Sequence, residues 1–159
     1  MTSTSITPTQ NTHLPVRAAG VATVLGTLAF VAFGTFADGN NGADEVKADP
    51  MEFVVMATIV LAFAALMFLV VVPRALWSGR TANLGLGLAL GALPFVLAFW
   101  AGITPVLAVS GILLGSAARR TEKGAGKGAA AVAIGALALL GYVAIYISDW
   151  MATNNIAGL

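Results

Sequence analysis

The sequence predicts an all-α, polytopic integral membrane helix bundle with five transmembrane helices, and three observations lead there. Of the 159 residues, 58% are hydrophobic and 9% charged, whereas a soluble domain carries about 25% charged residues. The apolar residues are gathered into long runs, and about 20 such residues suffice for a helix to cross a hydrocarbon core of roughly 30 Å. The charged residues sort by sign between alternate loops. Mean hydropathy is +0.91, and the length suits one domain. There is no cysteine, hence no disulfide framework, thiolate metal site or thiol nucleophile. A net charge of +1 implies no nucleic-acid partner; the distribution of the charges says more than their sum.

The chain opens with a polar tail, residues 1–16, rich in Ser, Thr, Gln, Asn and Pro and expected to be disordered. His13, the only histidine, belongs to this tail as a solvated residue. The helical domain then spans 17–150. Its first crossing is 18–37 (AAGVATVLGTLAFVAFGTFA). A cleaved signal peptide ending near Thr35-Phe36-Ala37 is the alternative, but a single charge before so long an apolar run fits a retained helix better. The loop 38–52 holds five acids and Lys47, a net charge of −4. Counted from Asp38, glycine falls at the fifth position and Ala43 at the sixth, where a calcium loop needs glycine. The loop reads as a solvated acidic turn.

The second crossing, 51–73, starts with Asp49-Pro50-Met51-Glu52, a variant of the capping box with proline at the first helical position. Its bulky Met56, Phe63, Met67 and Phe68 are expected to face lipid or fill gaps. Residues 84–118 are too long for one helix, since 35 residues would extend about 52 Å. Gly102 supplies a left-handed C-terminal cap, Thr104 an N-cap, and Pro105 a first position where its missing N–H costs nothing. This predicts a hairpin of two short helices, 84–101 and 104–118, with a re-entrant second arm as the alternative. A final crossing covers 129–148, and 151–159 form a short tail.

Orientation follows from the charges. With five crossings and the N-terminus cytoplasmic, the inner segments hold Arg17, Arg74, Arg80, Arg119, Arg120, Lys123 and Lys127, all the basic residues except Lys47. The outer segments hold Asp38, Asp44, Glu45, Asp49, Glu52 and Asp149, all the acids except Glu122. Lys and Arg mark cytoplasmic loops, so the C-terminus is placed outside. A four-crossing chain would put loops 74–83 and 119–128 on opposite sides and spoil the sorting. Trp77, Trp100, Tyr146 and Trp150 fall near the expected boundaries, where amphipathic rings prefer to sit.

Sites are scarce. No Asp, Glu, Lys, Arg or His lies in the interior of an expected span, Glu52 standing at a helix start, and such residues usually mark ion paths and proton relays. Thr23, Thr27, Thr58, Ser110 and Ser116 can satisfy their hydroxyls on the carbonyl one turn back. Around Gly126-Lys127 a phosphate loop fails, because Thr121 stands where its first glycine should be and Gly128 replaces the hydroxyl residue. The loop is better read electrostatically. Arg119, Arg120, Lys123 and Lys127 against Glu122 give +3, a charge that orients the chain and could contact anionic lipid at about 1 kcal/mol per residue. The clearest packing signal is small residues: Gly87 and Gly91 in the third helix, Gly111 and Gly115 in the fourth, and Ala131, Gly135 and Ala138 along the fifth. Such faces let helix backbones approach closely.

Three stretches carry a resemblance: "GILLGSAARR" (111–120), "KGAGKGAAAVAIGALAL" (123–139) and, more loosely, "NLGLGLALGALPF" (83–95). Residues 82–147 resemble a glycine-rich bacterial membrane domain of unknown function, built as an apolar hairpin, a basic glycine loop and a final small-residue helix. The resemblance covers about two-fifths of the chain. It implies the same hairpin and no activity, cofactor or catalytic residue. An Ala, Gly, Val and Leu vocabulary also suits a GC-rich bacterial genome. The expected function is a non-enzymatic membrane scaffold or accessory subunit acting through helix packing. Its partners would be membrane lipids and either a second copy or another membrane protein. A small transporter or channel component, opened at Pro94 and Pro105, is the alternative, and a membrane enzyme without a recognisable motif the third reading. No catalytic, metal or cofactor-binding residue is expected.

Overall fold

A computed structural model describes residues 13–37 and 50–153. Residues 1–12, the acidic loop 38–49 and residues 154–159 lie outside the described residues. The Asp49 cap, the calcium-loop comparison and Lys47 fall there, as do most of the two tails. Among the described residues every regular element is helical. Five rods are formed: α1 (His13–Ala37), α2 (Pro50–Ser78), α3 (Thr81–Val96), α4 (Ile103–Ala118) and α5 (Ala125–Thr153). α1, α2 and α5 are long and apolar enough to cross a membrane; α3 and α4 are apolar but shorter.

Several expected boundaries move, each for a physical reason. α1 starts at His13, so residues 13–16 are helical and leave the tail to the residues before them. Val16 anchors this first turn, packing with Val72, Ala75 and Leu114. α2 runs through Pro73 to Ser78 instead of stopping at the proline. A helix-internal proline cannot donate to the carbonyl four residues back, and its ring presses on it. The turn over Leu66–Val71 is widened to π geometry, with the Val72 N–H bonding to Met67, and this makes room for the ring. The rod ends where Gly79 takes φ 69°, a left-handed cap.

The hairpin also differs from expectation. α3 ends at Val96, two residues after Pro94, and Trp100 belongs to a short 3-10 turn, Phe99–Ala101. Gly102 has φ 64° and ends this turn as expected, but it also stands at the N-cap of α4. Thr104 is therefore inside the first turn and caps nothing. Its hydroxyl is fully buried without a hydrogen-bond partner. α5 extends beyond 129–148 at both ends, starting at Ala125 and reaching Thr153.

α4 is the axis of the bundle and touches the other four helices. Thr104, Val106, Ala108, Ser110, Leu114 and Ala118 on it are all fully buried. The contact with α5 is the tightest. A Cβ on Gly115 would lie 2.8 Å from the Gly128 carbonyl oxygen and 2.8 Å from the Ala131 side chain. One turn earlier, a Cβ on Gly111 would lie 2.9 Å from the Ala89 amide of α3. On α5, Gly135 abuts the Ala108 carbonyl, and Ala131 and Ala138 are buried on the same face.

Gly87 and Gly91 do not take part. Nothing stands within 4 Å of a Cβ built on either. The face that α3 turns to α4 is Gly85, Ala89 and Ala92, all buried. Two residues along a helix rotate the face by about 200°, which carries Gly87 and Gly91 to the far side. On α2 the second of the two alternatives holds for three side chains: Met67 and Phe68 are buried in the main cluster and Phe63 packs against it, so they fill gaps between helices.

The hairpin does not reach the level of its neighbours. A Cβ on Gly102 would meet Val60 Cγ2 at 2.7 Å and Thr27 Cγ2 at 2.9 Å. Thr27 precedes the end of α1, and Val60 follows the start of α2, by ten residues each, about 15 Å of helix. The tip is thus wedged between two rods that continue well past it.

The glycine contacts separate into two testable groups. Gly111→Leu and Gly115→Leu should each lower stability by about 1–3 kcal/mol or more through overpacking against backbone. Gly87→Leu and Gly91→Leu should melt close to the parent protein in detergent. Equal melting of all four variants would refute the assignment of faces.

Candidate functional site

The two ends of the bundle differ in chemistry, and the fold assembles each from distant parts of the chain. At one end, the cluster of Val16, Val72, Ala75 and Leu114, with Leu76, Leu84 and Leu88 against it, brings together the start of α1, the end of α2, the start of α3 and the end of α4. These segments carry Arg17, Arg74, Arg80, Arg119 and Arg120, and α5 adds Lys127 in its first turn. Arg17, Arg74, Arg80, Arg119, Arg120, Lys123 and Lys127 are all exposed.

The segment from α4 to α5 is short and ordered by its own hydrogen bonds. The Arg120 amide donates to Ala117, the Thr121 amide to Ala118, the Gly124 amide to Thr121 and the Gly128 amide to Gly124. Thr121 Oγ1 also donates to the Ala118 carbonyl, at 2.8 Å. The loop turns back at once because Gly128 lies against the Gly115 carbonyl and the stem of Arg119. Lys127 Nζ then donates to Asn83 Oδ1 at 2.7 Å, tying the start of α5 to the start of α3. Between these segments lies a cavity of about 410 Å³ lined by Thr81, Asn83, Thr121, Lys123, Gly124 and Lys127, among others. Of the four basic residues expected to contact lipid, Lys123 and Lys127 line this cavity. Arg119 and Arg120 belong to the same loop but are not part of its wall.

The opposite end is aromatic. Phe30 and Tyr146 stack edge to face at 4.9 Å, Phe33 meets Trp150 at 6.0 Å, and Phe36 meets Phe53 at 5.4 Å. Phe99, from the hairpin turn, meets Tyr146 at 6.0 Å. Tyr146 Oη donates to the Phe30 carbonyl at 2.7 Å. An apolar groove of about 380 Å³ runs between α1 and α5, along Phe30, Phe33, Tyr146 and Trp150. Glu52 lies in the first turn of α2 and Asp149 near the end of α5, so these carboxylates belong to this end. Trp77 at the basic end and Trp100 near the aromatic end are largely exposed.

Thr23, Thr27 and Ser110 in the interior, and Thr58 on the exposed side of α2, each donate to the carbonyl four residues back. Thr104 is the exception described above. Among the described residues no group of three His, Cys, Asp or Glu is placed to hold a metal ion.

Two features escaped sequence reasoning. Asn83 is an unremarkable polar residue next to an apolar run, and nothing local connects it with Lys127, 44 positions away. Gly85, Ala89 and Ala92 did leave a signal, because "GLGLALGAL" contains two interleaved small-residue faces. Spacing alone could not choose between them. Comparison with protein-family models, with curated proteins and with solved structures gives no match to this chain.

Proposed function

We propose that this protein is a multi-pass membrane scaffold or accessory subunit. Its three long helices cross the bilayer, and the α3–α4 hairpin enters from the basic side and returns to it. The basic end faces the cytoplasm, which places the C-terminus outside. The observation that carries the reading is the filling of the bundle's centre: α4 lies against backbone on two sides, with its inner side chains excluded from solvent. A dry, close-packed axis suits a protein that presents surfaces to partners. Charge segregation supports the orientation, since Lys and Arg favour the cytoplasmic side. Loops 74–83 and 119–128 lie on the same side whether the hairpin crosses fully or turns back within the bilayer.

One observation favours the transport reading. Transporters place the N-termini of helices that start in mid-bundle at substrate sites, and α4 starts there at Ile103, beside the buried, unpaired Thr104 hydroxyl. Thr104→Val separates the two. On the scaffold reading the hydroxyl is only a desolvation cost, and the variant should gain about 1 kcal/mol in stability with no change in function. On the transport reading, purified protein in vesicles should pass a solute or ion, and Thr104→Val should reduce that flux. The scaffold reading expects flux no greater than in protein-free vesicles. It also expects a stoichiometric membrane-protein partner, or a second copy, on gentle purification with native neighbours. Recovery of a monomer with lipid alone would count against it.

Topology has its own measurement. A cysteine at Asn41 should react with a charged, impermeant thiol reagent added outside, and one at Ala125 only after permeabilisation. A cysteine at Leu97, on the hairpin turn, should stay protected from the charged reagent on both sides. Reaction at 97 as fast as at 41 would mean that the hairpin crosses completely. Reaction at 125 from outside would reverse the orientation.

A further inference from the structure

We infer that the cavity at the basic end is a phosphate-binding site that takes the headgroup of an anionic phospholipid. Its wall is rich in donors and includes two lysines. Lys127 has three N–H groups and uses one on Asn83. Asn83 accepts that bond on its carbonyl oxygen, and its side-chain amide carries two further N–H donors. Lys123 adds a second ammonium to the wall. Glu122, the one carboxylate of the loop, is exposed and is not among the lining residues. Arg119 and Arg120 raise the local positive potential without entering the cavity.

The backbone adds to this. Thr81, Ala82 and Asn83 form the first turn of α3 and line the same cavity. Their amides have no carbonyl a turn back, and Arg80 at the N-cap supplies no side-chain acceptor. Phosphate oxygens only accept hydrogen bonds, so lysines, an amide and helix-opening N–H groups are complementary to them. Location favours a lipid over a dissolved anion. The cavity's edge includes Leu76, next to the exposed Trp77, and Leu69 and Val70 on the same helix are exposed apolar residues. A headgroup in the cavity could therefore leave its acyl chains along α2.

The inference rests on the membrane reading, but the measurement does not depend on which way the chain faces in a cell. Purified protein in neutral detergent is titrated with phosphatidylglycerol, with phosphatidylcholine or with inorganic phosphate, and bound lipid is counted by native mass spectrometry. Phosphatidylglycerol should be retained in preference to phosphatidylcholine. Lys123→Gln, which leaves the Lys127–Asn83 hydrogen bond in place, should weaken that retention about fivefold. Lys123→Gln with Lys127→Gln should weaken it further. Arg119→Gln with Arg120→Gln should have a smaller effect than the lysine pair, and a melt in detergent without lipid verifies that each variant is folded. No preference for the anionic lipid would overturn the site while leaving membrane insertion untouched. Equal loss in the arginine and lysine variants would replace the cavity with diffuse attraction. Competition by inorganic phosphate at equal concentration would overturn the lipid as the ligand.

Discussion

Between Gly115 of α4 and Gly128 and Ala131 of α5 there is no room for a single additional carbon atom, and the other helices are arranged around that approach. On the proposed membrane reading, apolar side chains gain nothing by leaving hydrocarbon for one another, and the helices associate through dispersion contacts and hydrogen bonds. Dispersion falls away steeply with distance. Backbones brought together by glycine and alanine make many such contacts at once. This is how a helix of only 16 residues can serve as the axis of a bundle whose other members are up to 29 residues long. Between α2 and α4 the larger Met67 and Phe68 are buried with Val106, Leu107 and Ala108.

A short axis has a geometric consequence. The rods around α4 outlast it at one end, and the hairpin turn sits among side chains that would otherwise have met each other. Gly102 is required twice there, for its positive φ and for the lack of a Cβ between Val60 and Thr27. Beyond the turn the long helices are joined by rings, with Phe99 reaching up to Tyr146. Tyr146 is held in turn by its bond to the Phe30 carbonyl. Pro73 and Pro94 bend this framework in different ways. The first is absorbed by a widened turn inside a helix, and the second is followed within two residues by the helix end.

At the other end the rods finish together, and the same close packing determines the chemistry. Because Gly128 permits α5 to start against the end of α4, the connecting loop is compact. Lys123 of this loop and Lys127 of the first turn of α5 stand beside the first turn of α3, around one cavity. Lys127 and Asn83 mark the point of contact. The packing proposed to make the protein a scaffold thus also shapes the cavity proposed to receive a phosphate, and the two readings depend on one set of small residues.

By itself the sequence determined the all-helical class, the hairpin break at Gly102, the clustering of basic residues apart from most acids, and the tight faces of α4 and α5. All of these follow from local composition, run length or residue spacing, which act within a few turns of chain. Tertiary structure decided which of two small-residue faces of α3 packs, since Gly85–Ala89 and Gly87–Gly91 have the same spacing and differ only in what they meet. It decided that Pro73 lies inside a helix, because Val72 and Ala75 on either side of it are buried against Val16 and Leu114. The depth of Gly102, the lost capping role of Thr104 and the joining of Lys127 to Asn83 belong to the same class. Each depends on the relative height of helices far apart in sequence, and that height is set by backbone contact across the bundle.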